Sequence, residues 1–239
     1  MTRIGTAGWS IPRVSAESFP GEGPHLARYA RALSCAEINS SFYRPPLPGT
    51  WKRWATTVPA GFLFSVKAPK AITHEAALAP ATGLLEDFLT GANLLGDKLG
   101  PILFQLPPKQ VFDPTIAHGF FKYLRTQYRG PAALEPRHAT WFTPEVSALL
   151  ADHQVARVAA DPARVPEAAL PGGWPGLRYY RLHGSPRIYY SPYEHDYLTS
   201  LSAGCKAHPN TWVILDNTAS GAAAANALSL AQMTTTKIS

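Results

Sequence analysis

Five residues of this chain carry side chains suited to general acid–base chemistry and stand where short apolar runs end: Glu37, Lys67, Glu135, Asp161 and His183. A carboxylate in that position serves as a base or holds a divalent ion, and a histidine moves protons near neutral pH or ligates a metal. Six more polar or aromatic residues fall at or just after such runs: Asn39, Gln105, Arg137, Trp141, Arg181 and Asn217. Arg137 and Arg181 offer planar forks that grip carboxylate or phosphate bidentately. Asn39, Gln105 and Asn217 supply amides, and Trp141 a surface on which a sugar or base could stack. In Arg181-Leu182-His183-Gly184 the arginine and histidine project to the same side of an extended strand, which makes His183 the leading single candidate. His74 and His138 are second choices, because lone loop histidines are more often surface residues. A structural alternative stands beside the catalytic one: Glu37, Lys67, Glu135 and Arg181 could form a buried, mutually satisfied ion network.

The elements that must position these side chains are short β-rich runs alternating with segments of helical period. Strands are expected at Arg3 to Thr6, Ala36 to Asn39, Phe62 to Lys67, Ile102 to Leu106, Ala132 to Glu135, Val155 to Asp161, Leu177 to His183 and Trp212 to Asp216. Helices are expected at His25 to Leu33, around Trp51 and Trp54, and from about Thr82 to Leu95. Asp113-Pro114 and Thr143-Pro144 pair a capping side chain with a proline in the first turn, so they start two more helices. Eight strands alternating with helices, with no glycine-rich dinucleotide loop after any of them, predict an α/β fold: one (β/α)8 TIM-type barrel over residues 1–239. In such a barrel the C-terminal strand ends share one mouth.

The bulk composition agrees with one globular domain, since 46% of the 239 residues are hydrophobic and 16% are charged. A formal charge of +6 favours anionic partners: a small phosphorylated or sugar-like ligand, or DNA. Cys35 and Cys205 lie far apart in no metal-ligand spacing and read as buried small hydrophobes. No histidine-rich zinc set is present, so a divalent metal is a cofactor this mouth could hold without any ligand set that specifies it. The N-terminal MTRIGTAGWSIP lacks the apolar core of a signal peptide, and no stretch approaches the roughly 18 apolar residues of a membrane span. A cytoplasmic location without a membrane partner is expected; oligomeric state is left open.

From about residue 4 to residue 230 the chain resembles the YecE-like family, also called domain of unknown function 72. The resemblance rests on Gly5-Thr6-Ala7-Gly8-Trp9-Ser10, on Glu37-Ile38-Asn39-Ser40-Ser41-Phe42-Tyr43, on Phe64-Ser65-Val66-Lys67 with Ile72-Thr73-His74, and on Leu103-Phe104-Gln105-Leu106-Pro107-Pro108. Glu135-Pro136-Arg137-His138 with Trp141-Phe142, Arg181-Leu182-His183-Gly184 and Asp216-Asn217 complete it. It implies the (β/α)8 barrel and no established activity. Two departures stand out: Pro136 lies inside the family's glutamate-phenylalanine-arginine pattern, and Asp216 replaces the first asparagine of its strand-eight ending. By fold-level analogy with metal-assisted sugar isomerases and abasic-site endonucleases, the leading expectation is a metal-assisted hydrolase of a phosphodiester or sugar-phosphate such as damaged DNA. The alternatives are a metal-free sugar isomerase or lyase, and a non-catalytic barrel that binds nucleic acid or a partner.

Overall fold

The computed structural model describes residues 1–79, 83–208 and 210–235. Among these residues ten strands form one sheet: β1 (Arg3–Ala7), β2 (Cys35–Ile38), β3 (Leu63–Lys67), β4 (Leu99–Gln105), β5 (Ala132–Glu135), β6 (Val155–Arg157), β7 (Ala159–Asp161), β8 (Gly172–Gly173), β9 (Arg178–Leu182) and β10 (Thr211–Leu215). Their spatial order is β7-β9-β10-β1-β2-β3-β4-β5-β6-β8, with every pairing parallel except the antiparallel β6–β8 contact.

Among the described residues the sheet thus has ten strands where the sequence predicts eight. The run from Val155 to Asp161 is broken at Val158, where the chain changes partners: β6 pairs with β5, and β7 pairs with β9. Val158 still donates its N–H to Leu134 O of β5, so one residue carries the chain from one flank of the sheet towards the other and the barrel nearly closes. The tenth strand, Gly172–Gly173, pairs antiparallel with Ala156 and Arg157. At Gly173, whose φ is +63°, a Cβ would lie 2.6 Å from the Val155 carbonyl oxygen, so a residue with a side chain could not approach this closely.

Helices α1 (His25–Ala32), α2 (Pro48–Thr57), α3 (Leu84–Ala92), α4 (Pro114–Gln127), α5 (Pro144–Asp152), α6 (His195–Ala207) and α7 (Ala222–Thr235) surround the sheet. The expected caps form: Asp113 accepts from Thr115 N and Ile116 N, and Thr143 from Val146 N. Thr82, the expected start of the third helix, lies outside the described residues. Between β7 and β9 the connection is a 3-10 turn, Pro166–Ala169, followed by β8, with no α-helix.

Alternation along each strand sorts side chains between two layers. Ile4, Ile38, Phe64, Val66, Phe104, Leu134, Val213 and Leu215 pack outward against helix residues such as Leu26, Trp51, Phe121 and Leu198. Cys35, Leu103, Ala133, Ala156, Val158, Tyr179, Trp212 and Ile214 fill the lower interior of the barrel. Gly5 sits where no side chain fits, since a Cβ there would be 2.0 Å from the Cys35 carbonyl oxygen. Both cysteines are buried free thiols, as expected. Among the described residues no helix is long and apolar enough to cross a membrane.

Candidate functional site

Two residues beyond the apolar interior layer, the same strand faces turn polar. Glu37 follows Cys35, Gln105 follows Leu103, Glu135 follows Ala133, Asp216 follows Ile214, and Arg181 and His183 follow Tyr179 at the same alternation. Lys67 stands likewise above Ser65. The small residues below them, Ala133 and Ala156, leave room for large side chains above.

Arg181, fully buried, is the hub. Its Nε and Nη2 donate to Glu37 Oε2 and Oε1 at 3.1 and 2.8 Å, Nη1 donates to Glu135 Oε2 at 2.7 Å, and Nη2 also donates to Asp216 Oδ2 at 3.1 Å. One guanidinium thus serves three carboxylates, which only the arginine fork can do. Arg137 donates to Glu135 Oε1 through Nε and Nη2 at 3.1 and 3.0 Å, and Gln105 Nε2 donates to Glu135 Oε2 at 3.0 Å. The Tyr179 hydroxyl donates to Glu37 Oε2 at 2.9 Å and lies 2.7 Å from Ser65 Oγ; burial pushes its pKa well up, so it stays a neutral donor.

His183 is clamped between Asp216 Oδ2, 2.9 Å from Nδ1, and Glu135 Oε1, 3.0 Å from Nε2. Both ring nitrogens face carboxylate oxygens, an arrangement that favours the doubly protonated ring, and Arg137 Nη2 also lies 3.5 Å from Nε2. Burial opposes that charge, but Glu135 and the hydrogen bonds to Asp216 and Glu135 prevail and raise its pKa. Burial would likewise raise the carboxylates, yet Arg181 and His183 hold Asp216 below its usual range and, with Arg137, hold Glu135 well below.

Lys67 is the exception. It is 7% exposed, its Nζ sits 4.1 Å over the Phe42 ring, and no hydrogen bond or ion pair to that nitrogen forms among the described residues. Burial first, and then Arg181, lower its pKa to about 8 against the pull of Glu37, Glu135 and Asp216. His74 packs edge-on to the same Phe42 with centroids 5.0 Å apart, and Thr73 Oγ1 lies 2.9 Å from its Nδ1. Burial, then Lys67 and Arg137, lower the pKa of His74, which favours a neutral imidazole. A cavity of about 250 Å³ opens beside this cluster, lined by Glu135, Arg137, Ala160, Arg164, His183 and Ile188.

The structure brings together Glu37, Lys67, Gln105, Glu135, Arg137, Arg181 and His183, and leaves three of the expected residues elsewhere. Asp161 pairs in register with Leu182, so it faces away from Arg181 and instead accepts a 2.7 Å hydrogen bond from the Tyr193 hydroxyl. Trp141 is 1% exposed, donates Nε1 to Gln110 O and packs on Phe112; it is core and has no face left for a ligand. Asn217 uses Nδ2 to tie Ser191 O and Asn226 Oδ1, holding the loop after β9 against α7. Asn39 precedes the 3-10 turn Ser40–Phe42 that delivers Phe42 to Lys67, and its Oδ1 is buried without a hydrogen-bond partner among the described residues. Tyr179 and Ser65 were missed as members of the cluster, although each lies two residues before a chosen one. Thr6, the polar end of the first run, turns outward to the Tyr29 hydroxyl.

These residues do not fit a divalent ion. Both ring nitrogens of His183 are engaged by carboxylates, the carboxylates are committed to cations, and no group of three or more His, Cys, Asp or Glu that could cage a metal occurs among the described residues.

Residues 3–238 match the family model for "Protein of unknown function DUF72". The UPF0759 protein YecE of Escherichia coli K12 is 31% identical over 146 residues, 59% of this chain, and the corresponding protein of strain O157:H7 matches equally. The matched segment spans half the length of these relatives. A crystal structure of a DUF72 family protein from Enterococcus faecalis V583 superposes with a TM-score of 0.81 at 21% identity, covering 100% of this chain and 97% of the other. One from Thermotoga maritima MSB8 gives 0.78 at 23% identity, covering 98% of each. At these identities the structural likeness speaks for the fold alone.

Proposed function

Because this chain belongs to the DUF72 family, whose description assigns no activity, we propose a function from the mouth itself: metal-free acid–base chemistry on a small anionic, sugar-like ligand. We read the ten strands as the eight units of a TIM-type barrel whose sixth strand is broken at Val158, with the mouth at the C-terminal strand ends. Lys67 is the reacting base, the edge of Arg137 turned from Glu135 holds the anion, and Asn39 Oδ1 accepts from a ligand hydroxyl. Glu37, Glu135, Arg181, Asp216 and His183 form the rigid charged floor that keeps Lys67 surrounded by fixed dipoles.

The observation that carries this reading is the contrast between Lys67 and its neighbours. Every other charge in the cluster has a partner at hydrogen-bond distance, while Lys67 is buried beside them with none among the described residues. A purely structural network would satisfy all its members. Metal-assisted phosphodiester hydrolysis, the leading expectation from sequence, has no ligand set among these residues; the metal-free isomerase or lyase alternative retains its carboxylates and lysine.

Thermal-shift titration tests the proposal with inorganic phosphate, sugar phosphates and short hydroxycarboxylates, using the wild type and Arg137→Ala. Saturable stabilisation that Arg137→Ala weakens is the expected result. Salt-steep binding of duplex DNA, with no response to any small anion, refutes it in favour of a nucleic-acid-binding barrel.

A further inference from the structure

We propose that Lys67 is an amine nucleophile and that the ligand is a carbonyl compound, an aldehyde or ketone bearing a carboxylate or phosphate, held as a Schiff base on Nζ. The proposal rests on the anionic-ligand reading above and adds the reactive group of that ligand. Four features converge on it. Lys67 ends β3 at the C-terminal side of the barrel, so its side chain stands at the mouth and not in the lower interior. Its Nζ is not tied to a carboxylate, because Arg181, Arg137 and His183 have already taken up Glu37, Glu135 and Asp216. An ammonium clamped in an ion pair would have to break it before attacking. Phe42 covers one side of Nζ at 4.1 Å, so a carbonyl has to approach from another side. His74, packed on the same phenyl ring, offers a neutral imidazole to take and return protons, directly or through one water.

The chemistry closes without a further reactant. The ammonium first loses a proton to His74 or water, and the free Nζ lone pair attacks the carbonyl carbon as the C=O π pair moves to oxygen. That oxygen takes back the first proton and the nitrogen gives up a second, leaving a neutral carbinolamine; the second proton then passes to the hydroxyl, which leaves as water as the nitrogen lone pair forms C=N, and the nitrogen is left as an iminium. One ammonium and one carbonyl compound thus become one iminium and one water. The nitrogen ends with the single positive charge it began with, so the balance with the three carboxylates below is unchanged. Desolvation and Arg181 also increase the reactive fraction: a pKa of about 8 leaves roughly 300 times more free amine at pH 7 than an exposed lysine has.

The test is borohydride trapping on the full chain with three probes, pyruvate, dihydroxyacetone phosphate and glyoxylate, followed by intact mass and peptide mapping. The expected result is one dominant reduced adduct, on the peptide containing Lys67. It should form at least about tenfold faster than at any other lysine and be absent from Lys67→Arg and Lys67→Met. It should persist in Lys109→Arg, which removes an exposed lysine near His74. The pH dependence of trapping should turn over near 8 and not above 10. Circular dichroism and a thermal melt confirm that each variant is folded. A probe that raises the melting temperature yet leaves no adduct at Lys67 overturns the Schiff base and leaves the ligand reading standing. No shift and no adduct with any probe removes both. Labelling spread over surface lysines and unchanged in Lys67→Met also overturns the nucleophile.

Discussion

Replacing Lys67 with methionine should make the protein more stable. At pH 7 the lysine is charged in both the folded and the unfolded chain, and holding that charge in the barrel is unfavourable by the amount its pKa falls, from 10.5 to about 8. At about 1.4 kcal/mol for each tenfold, that is roughly 3 kcal/mol. The contact with Phe42 offsets part of it, since a cation over an aromatic ring is worth about 0.5–2 kcal/mol. Methionine fills a similar volume and regains some of that contact through its sulfur. The net expectation is a gain of about 1–3 kcal/mol, or roughly 2–12 °C in Tm for a domain of this size. Urea unfolding of wild type and Lys67→Met at pH 7 measures it. The pH dependence supplies the stricter check. For a lysine with a lowered folded pKa, the unfolded chain binds the extra proton between about pH 8 and 10.5, so wild-type stability rises through that window relative to the variant and the gap narrows. A variant less stable than wild type at pH 7, with a gap independent of pH, would refute the reasoning, because Lys67 would then be a satisfied member of the network.

Arg181→Met should have the opposite effect, at a cost of about 3–5 kcal/mol at neutral pH, since it leaves Glu37 buried without a cation and takes one cation from Glu135 and Asp216, which keep Arg137 and His183. That loss, read by urea unfolding, should shrink as acid protonates the carboxylates. In the Lys67→Met background, which lacks the alkaline rise, stability should be greatest between about pH 4.5 and 6.5. The raised pKa of His183 contributes stability that is complete below 6.5 and lost as pH climbs through its folded value; the lowered pKa values of Glu135 and Asp216 contribute stability present above 4.5 and 3.8 and lost as pH falls through theirs. A stability profile flat from pH 4 to 8 would contradict the clamp on His183. Trp141→Phe should cost on the order of 1–3 kcal/mol by stranding the Gln110 carbonyl, while ligand-induced thermal shifts stay at the wild-type size; loss of those shifts in a folded variant would place Trp141 at the ligand.

The period-two rule accounts for the part of the site that is legible in the sequence. Glu37, Lys67, Gln105, Glu135, Arg181 and His183 all follow an apolar run at the parity of an inward face, and in a nearly closed sheet inward faces must converge. The same rule, carried one step down each strand, points to Tyr179 and Ser65, which a choice confined to polar strand ends passes over. Asp161 fails by parity: it shares the outward side of Leu182, and nothing in Val155 to Asp161 shows which side that is. The break at Val158 is equally invisible, because Val-Ala-Arg-Val-Ala-Ala-Asp holds no glycine or proline and the change of partner is set by β5 and β9, far away in the chain. Trp141 misled because an aromatic residue in a loop can face either way, and here the turn Ala139–Trp141 folds it under Phe112. Least legible was which cation would be left over. From residue types alone Lys67 and Arg181 are two positive charges among carboxylates; geometry separates them, because one arginine fork takes up three acids at once and leaves the lysine no carboxylate partner among the described residues, only the Phe42 ring. A chain that keeps a buried ammonium in that position gives up stability there, and a cost of that kind persists where the group does work on something that comes to it.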